Sequence, residues 1–207
     1  MKIKTIVVGA IATNCYIVRD ENSKEAFLID PGDEQDKISA WLKELKLDIK
    51  CVILTHGHFD HVTALPNIED LRGVPVYMHK DDLFLVTGAV PKFAGLFGYR
   101  AASLESLNYL NDLQQIKIGD MALKIIHTPG HTPGGICVYL EKEKALFTGD
   151  TLFFGDHGRV DLPASSGKMM LDSLKRLLQL PDDVAVYPGH GRSTTIGNER
   201  KTFADIL

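Results

Sequence analysis

The chain has 207 residues, 44% of them apolar and 24% charged, with a formal net charge of -4. That length and balance fit one domain, residues 1–207, able to bury a substantial interior. They exclude a broadly basic nucleic-acid binder, and no apolar run is long enough to span a bilayer, so neither nucleic acid nor membrane is expected as a partner.

Strands are predicted at 3–8 and 14–19. The apolar run near the start is short and broken by Gly9, so a β-hairpin is the better reading than a signal peptide, and a cytoplasmic location is expected. Cys15, Cys51 and Cys137 are odd in number, far apart and flanked by apolar residues. They read as buried free thiols of a reducing compartment. A strand at 25–29 ends on Asp30-Pro-Gly, after which Asp33 is placed to cap a helix with Ile38, Trp41, Leu42 and Leu45 on its apolar face. The short apolar strand 52–54 suits the centre of a sheet covered on both faces.

Directly after it the chain reads Thr55-His-Gly-His-Phe-Asp-His61. On an extended segment His56 and His58 point to one side, and a helix starting near Asp60 swings Asp60 and His61 toward the same space. No packing requirement asks for that density of metal-ligand side chains. A strand at 75–78 follows. Residues 87–100, where glycines interleave with aromatic residues, form either a substrate-side lid or an irregular connection packed on the core.

The second half restarts the alternation, with strands predicted at 121–126, 135–140 and 144–148. A helix is expected over 167–179, burying Leu171, Leu174, Leu177 and Leu178, and then a strand at 184–187. Three segments share one pattern, a strand ending in a ligand-type residue beside glycine or proline: Thr128-Pro-Gly-His131, Thr148-Gly-Asp150 and Tyr187-Pro-Gly-His190. Five imidazoles and two carboxylates (His56, His58, Asp60, His61, His131, Asp150 and His190) suit two divalent ions, most simply zinc. His79, His127 and His157 read as surface residues or as supports behind the ligands.

Together with Ile29-Asp-Pro-Gly32 and Gly158-Arg-Val-Asp-Leu-Pro163, these motifs resemble the metallo-β-lactamase-fold hydrolases, and within them the short bacterial glyoxalase II-like proteins. The resemblance implies an α+β fold, an αββα sandwich of two facing mixed β-sheets with outer helices. It implies one metal on His56, His58 and His131, another on Asp60, His61 and His190, and Asp150 bridging them. Two Zn2+ per chain are expected, with iron or manganese as alternatives in one or both sites. Asp30 is then either an acceptor orienting ligand histidines or a simple turn residue. Arg159 and Asp161 either line the cleft or form a plain loop salt bridge.

The implied activity is hydrolysis of a thioester, an S-acylated small thiol similar to S-lactoylglutathione, by a metal-bridging hydroxide, with Asp60 as the catalytic acid–base candidate. The separate C-terminal helical substrate domain of longer glyoxalase II enzymes is not expected. The main alternative is a persulfide dioxygenase with one iron on His56, His131 and Asp150. A lactonase and a non-catalytic metal-binding scaffold follow.

Overall fold

The computed structural model describes residues 1–88 and 107–206, together with Gly95 and Leu104. The proposed lid at 87–100 therefore lies almost entirely outside the described residues.

The first half forms β1 (Lys2–Val8), β2 (Thr13–Arg19), β3 (Glu25–Ile29), α1 (Gln35–Leu45), β4 (Asp48–Ile53), α2 (Phe59–Val62), β5 (Val76–His79), α3 (Leu83–Thr87) and β6 (Leu107–Leu110). The second half forms β7 (Gln115–Ile118), β8 (Met121–His127), β9 (Ile136–Leu140), β10 (Ala145–Gly149), α4 (Gly167–Leu177), β11 (Ala185–Pro188), β12 (Thr194–Thr195) and α5 (Ile196–Thr202). Each half supplies one six-stranded sheet, ordered β1-β2-β3-β4-β5-β6 and β12-β11-β10-β9-β8-β7. Both are mixed: β3 to β6 run parallel in the first, and β10 pairs in parallel with β11 in the second.

Period-two alternation explains the sandwich. Tyr16, Val18, Phe27, Ile29, Cys51 and Ile53 meet Leu123, Ile125, Val138, Leu140 and Phe147 in one cluster between the sheets. The intervening residues face outward: Cys15, Ile17, Leu28 and Val52 pack with Ile38 and Leu42 of α1, while Cys137, Tyr139 and Leu146 pack with Met170, Leu174 and Leu177 of α4. Strands buried on both faces need continuous apolar runs, which is why β2 is apolar over 15–18, β3 over 26–29, β9 over 136–140 and β10 over 145–147. The three cysteines are free and buried. No helix among the described residues is long and apolar enough to cross a membrane.

Two local expectations need correction. Asp33 does not cap α1; the N-cap is Glu34, in a left-handed conformation (φ 51°) with no side-chain cap, while Asp33 accepts from the Glu34 amide at 2.6 Å. Leu171 is not on the buried face of α4 but 37% exposed, because Met170 takes the core position one residue earlier.

Candidate metal centre

Most of the predicted ligands sit just beyond the C-terminal end of a strand. His56 and His58 follow β4, His131 follows β8, Asp150 follows β10 and His190 follows β11. β8 and β10 are each antiparallel to β9, and β11 is parallel to β10, so these three strands end at one edge of their sheet. Backbone bonds join that edge to the other sheet: Ile136 N donates to Thr55 O at 2.8 Å and Asn14 N donates to Gly189 O at 2.7 Å. Asp60 and His61 project from the single turn of α2.

The side chains collect into two groups, His56 with His58 and His131, and Asp60 with His61 and His190; within each group the ligand-type atoms lie within 4.8 Å of one another. His58 Nδ1 faces His131 Nε2 at 2.9 Å, and His61 Nε2 faces His190 Nε2 at 3.4 Å. Asp150 stands between the groups. Its Oδ2 is 3.5 Å from both His131 Nε2 and His190 Nε2, and its Oδ1 is 3.6 Å from His61 Nε2. A Cβ on Gly189 would lie 2.2 Å from Asp150 Oδ1, so glycine before His190 is what permits the approach.

The outward ring nitrogens are already engaged. His61 Nδ1 donates to Asp30 Oδ2 at 2.9 Å, His131 Nδ1 to the Arg159 carbonyl at 2.8 Å and His190 Nδ1 to the Ile11 carbonyl at 3.2 Å. Thr55 Oγ1 spends its proton on Asp30 Oδ2 (2.6 Å) and so accepts from His56 Nδ1 at 3.1 Å. These bonds fix the tautomer, leaving Nε2 of four rings as lone pairs aimed inward. His56 Nε2 and Asp150 Oδ1 are buried with no hydrogen-bond partner. Buried polar atoms rarely go unpaired, and an acceptor pair of this kind fits a cation.

Electrostatics agree at His56 and His58 and differ at His61 and His190, where burial lowers the pKa but nearby carboxylates outweigh it and raise it. Burial, reinforced by His61, His58 and His131, holds His56 well below its ordinary value. Burial and then His131 push His58 down to about 3. These rings are neutral, the form that ligates. Burial also works against a charged His61, but Asp60, Asp30 and Asp150 outweigh it and raise that ring. For Asp60 burial favours the neutral acid, yet His61, His190 and His56 hold it well below the usual carboxylate range.

Asp30 is 1% exposed, and its carboxylate accepts from Thr55 N at 2.7 Å as well as from Thr55 Oγ1 and His61. It is thus an acceptor behind His61 and Thr55 rather than a plain turn residue. Arg159 and Asp161 pair with each other at 2.8 and 2.9 Å on the surface, and only the Arg159 carbonyl reaches the centre. His157 bonds the Gly158 carbonyl. His79, Asp81 and His127 form a separate group, but the two rings stack at 4.1 Å with planes 12° apart. In-plane lone pairs of parallel rings do not converge on one ion.

Sequence reasoning missed the supports. Thr13 Oγ1 donates to Asp60 Oδ2 at 3.0 Å. Tyr16 Oη and Asn14 Nδ2 donate to the Pro188 carbonyl at 2.6 and 2.9 Å, holding the His190 loop. The available signal was the polar pair Thr13-Asn14 opening a strand that is otherwise apolar and buried.

A model of the Metallo-beta-lactamase superfamily matches residues 8–190, and the chain belongs to that superfamily, typically metal-dependent hydrolases. The hydroxyacylglutathione hydrolase GloC of Haemophilus influenzae is 36% identical over 206 residues, covering 98% of this chain and 96% of the relative. Among solved structures, BLEG-1 B3 metallo-beta-lactamase superposes with a TM-score of 0.88 at 34% identity, with 97% of each chain covered. TTHA1623 in a di-iron-bound form gives 0.86 at 36% identity, covering 96% of this chain and 98% of the other. ETHE1 from Myxococcus xanthus gives 0.78 at 29%, covering 98% and 83%.

Proposed function

We propose that this protein is a binuclear metal-dependent hydrolase, a thioesterase of the glyoxalase II type acting on an S-acylated small thiol. The observation that carries the reading is Asp150, placed within 3.6 Å of imidazole nitrogens from both ligand groups. His56, His58 and His131 would hold one ion, Asp60, His61 and His190 the other, and Asp150 both. Divalent ions, most simply zinc, supply Lewis acidity and a water of lowered pKa when bound there. The chain's own contribution is orientation and proton handling. Asp30, Thr55 and the carbonyls of Ile11 and Arg159 keep the rings aimed inward. Asp60 is kept ionised by its histidines and steadied by the Thr13 hydroxyl, so its carboxylate would accept a hydrogen bond from the attacking water and orient it.

The similarity to GloC supports the thioester class, and the di-iron form of TTHA1623 keeps iron open as the metal. We place the activity in one domain, residues 1–207, in the cytoplasm, with neither nucleic acid nor membrane as partner. A second reading, a persulfide dioxygenase with one iron on His56, His131 and Asp150, draws on the structural similarity to ETHE1 from Myxococcus xanthus. A panel assay separates the two. Cleavage of S-lactoylglutathione-like thioesters without oxygen uptake supports the hydrolase; oxygen consumption on persulfides without thioester cleavage overturns it.

A further inference from the structure

The centre is built from two loops of different sheets, and something must set their separation. Asp82, at the end of the 3-10 turn Lys80–Asp82 that leads from β5 into α3, is fully buried. Its Oδ2 accepts from Gly57 N at 2.9 Å and from Thr132 Oγ1 at 2.7 Å, and its Oδ1 accepts from Gly134 N at 2.5 Å. Gly57 lies between His56 and His58; Thr132 follows His131. One carboxylate therefore clamps the loop of the first ligand cluster to the loop of His131. The approach is close enough to dictate the neighbouring residues. A Cβ on Gly57 would stand 2.7 Å from the Asp82 carbonyl oxygen, and one on Gly134 would stand 2.7 Å from the Asp82 Cγ. The glycines of His-Gly-His and Thr-Pro-Gly thus accommodate Asp82 itself.

Among the described residues this carboxylate accepts from Gly57 N, Thr132 Oγ1 and Gly134 N, beside His56, His58 and His131 and not beside His61 or His190. The other group has further anchors: Thr13 on Asp60, the Ile11 carbonyl on His190, and Asp30 on His61, an anchor shared with His56 through Thr55. A buried carboxylate would be costly without partners, and three donors offset part of that cost here.

We infer that Asp82 is the positioning residue of the three-histidine group, holding His58 and His131 at the spacing one ion needs and leaving the Asp60, His61, His190 group independent. This rests on reading those side chains as metal ligands, but on no particular reaction. Partners behind metal ligands commonly change affinity by about 10- to 100-fold.

The test is stepwise Co2+ titration, followed by visible absorption and by competition with a chromophoric chelator. It is run on wild type, Asp82→Asn and Asp82→Ala, each also combined with His190→Ala or His58→Ala. In the His190→Ala background, which leaves the three-histidine group intact, the Asp82 variants should weaken Co2+ by about 10- to 100-fold, with Asn milder than Ala because it keeps one acceptor. In the His58→Ala background they should leave the remaining affinity unchanged. Equal weakening in both backgrounds, or lower melting temperature with native affinities in both, overturns the inference. A wild type that takes up no Co2+ overturns the ligand reading itself, a failure visible before any Asp82 variant is compared.

Discussion

Asp60 is where the two demands on this site meet. It is 7% exposed, yet surrounded by imidazoles and a threonine hydroxyl that favour its charge. Asp60→Ala should therefore lower turnover by about 100-fold or more while leaving the circular dichroism spectrum native; near-native kcat would contradict its assigned role. His79 offers a pH prediction away from the centre. Burial, with His127 beside it, keeps its pKa below the ordinary value. The unfolded chain then takes up a proton near ~6.5 that the folded chain refuses, so stability falls as pH drops below that point. Melting temperatures measured from pH 7 to pH 5 should fall less steeply in His79→Gln than in wild type. At this scale the ligand-type residues were legible because packing has no use for so many histidines. Asp82 and Thr13 were not, since an aspartate in Lys-Asp-Asp or a threonine opening a strand has an ordinary surface explanation. Only tertiary approach gives either residue its partner.

Among the elements, the buried strands were the most legible, because burial on both faces forces continuous apolar runs in β2, β3, β9 and β10. The strand Gln115–Ile118 was invisible for the converse reason: it ends its sheet, and of its four residues only Ile118 is fully buried. On α4, three of the four leucines expected inside, Leu174, Leu177 and Leu178, are buried; Leu171 is exposed, its place taken by Met170 one residue earlier. The same helix begins with Ser166, whose side chain accepts from Met169 N at 3.3 Å. Ser166→Ala should cost about 1 kcal/mol in urea unfolding, the usual value of such a cap.

Across the whole molecule, the layer between the sheets holds the two ligand edges together. Phe147 is central to it, meeting Tyr16 edge-on at 5.1 Å and Phe27 at 6.4 Å while stacking on Tyr187 at 5.1 Å. Phe147→Ala should cost about 3–5 kcal/mol by denaturant unfolding. It should also weaken metal uptake by both groups together, because Phe147 lies in β10, three residues before Asp150, the residue proposed to serve both. The sandwich was legible in outline from strands alternating with helices in each half; the pairing order was not, because crossovers leave no local trace. The central claim is that two ions share Asp150, and metal content per chain tests it most directly. Elemental analysis should find about two divalent ions per wild-type chain and fewer in Asp150→Ala. One ion per chain, unchanged by Asp150→Ala or His190→Ala, would contradict the account.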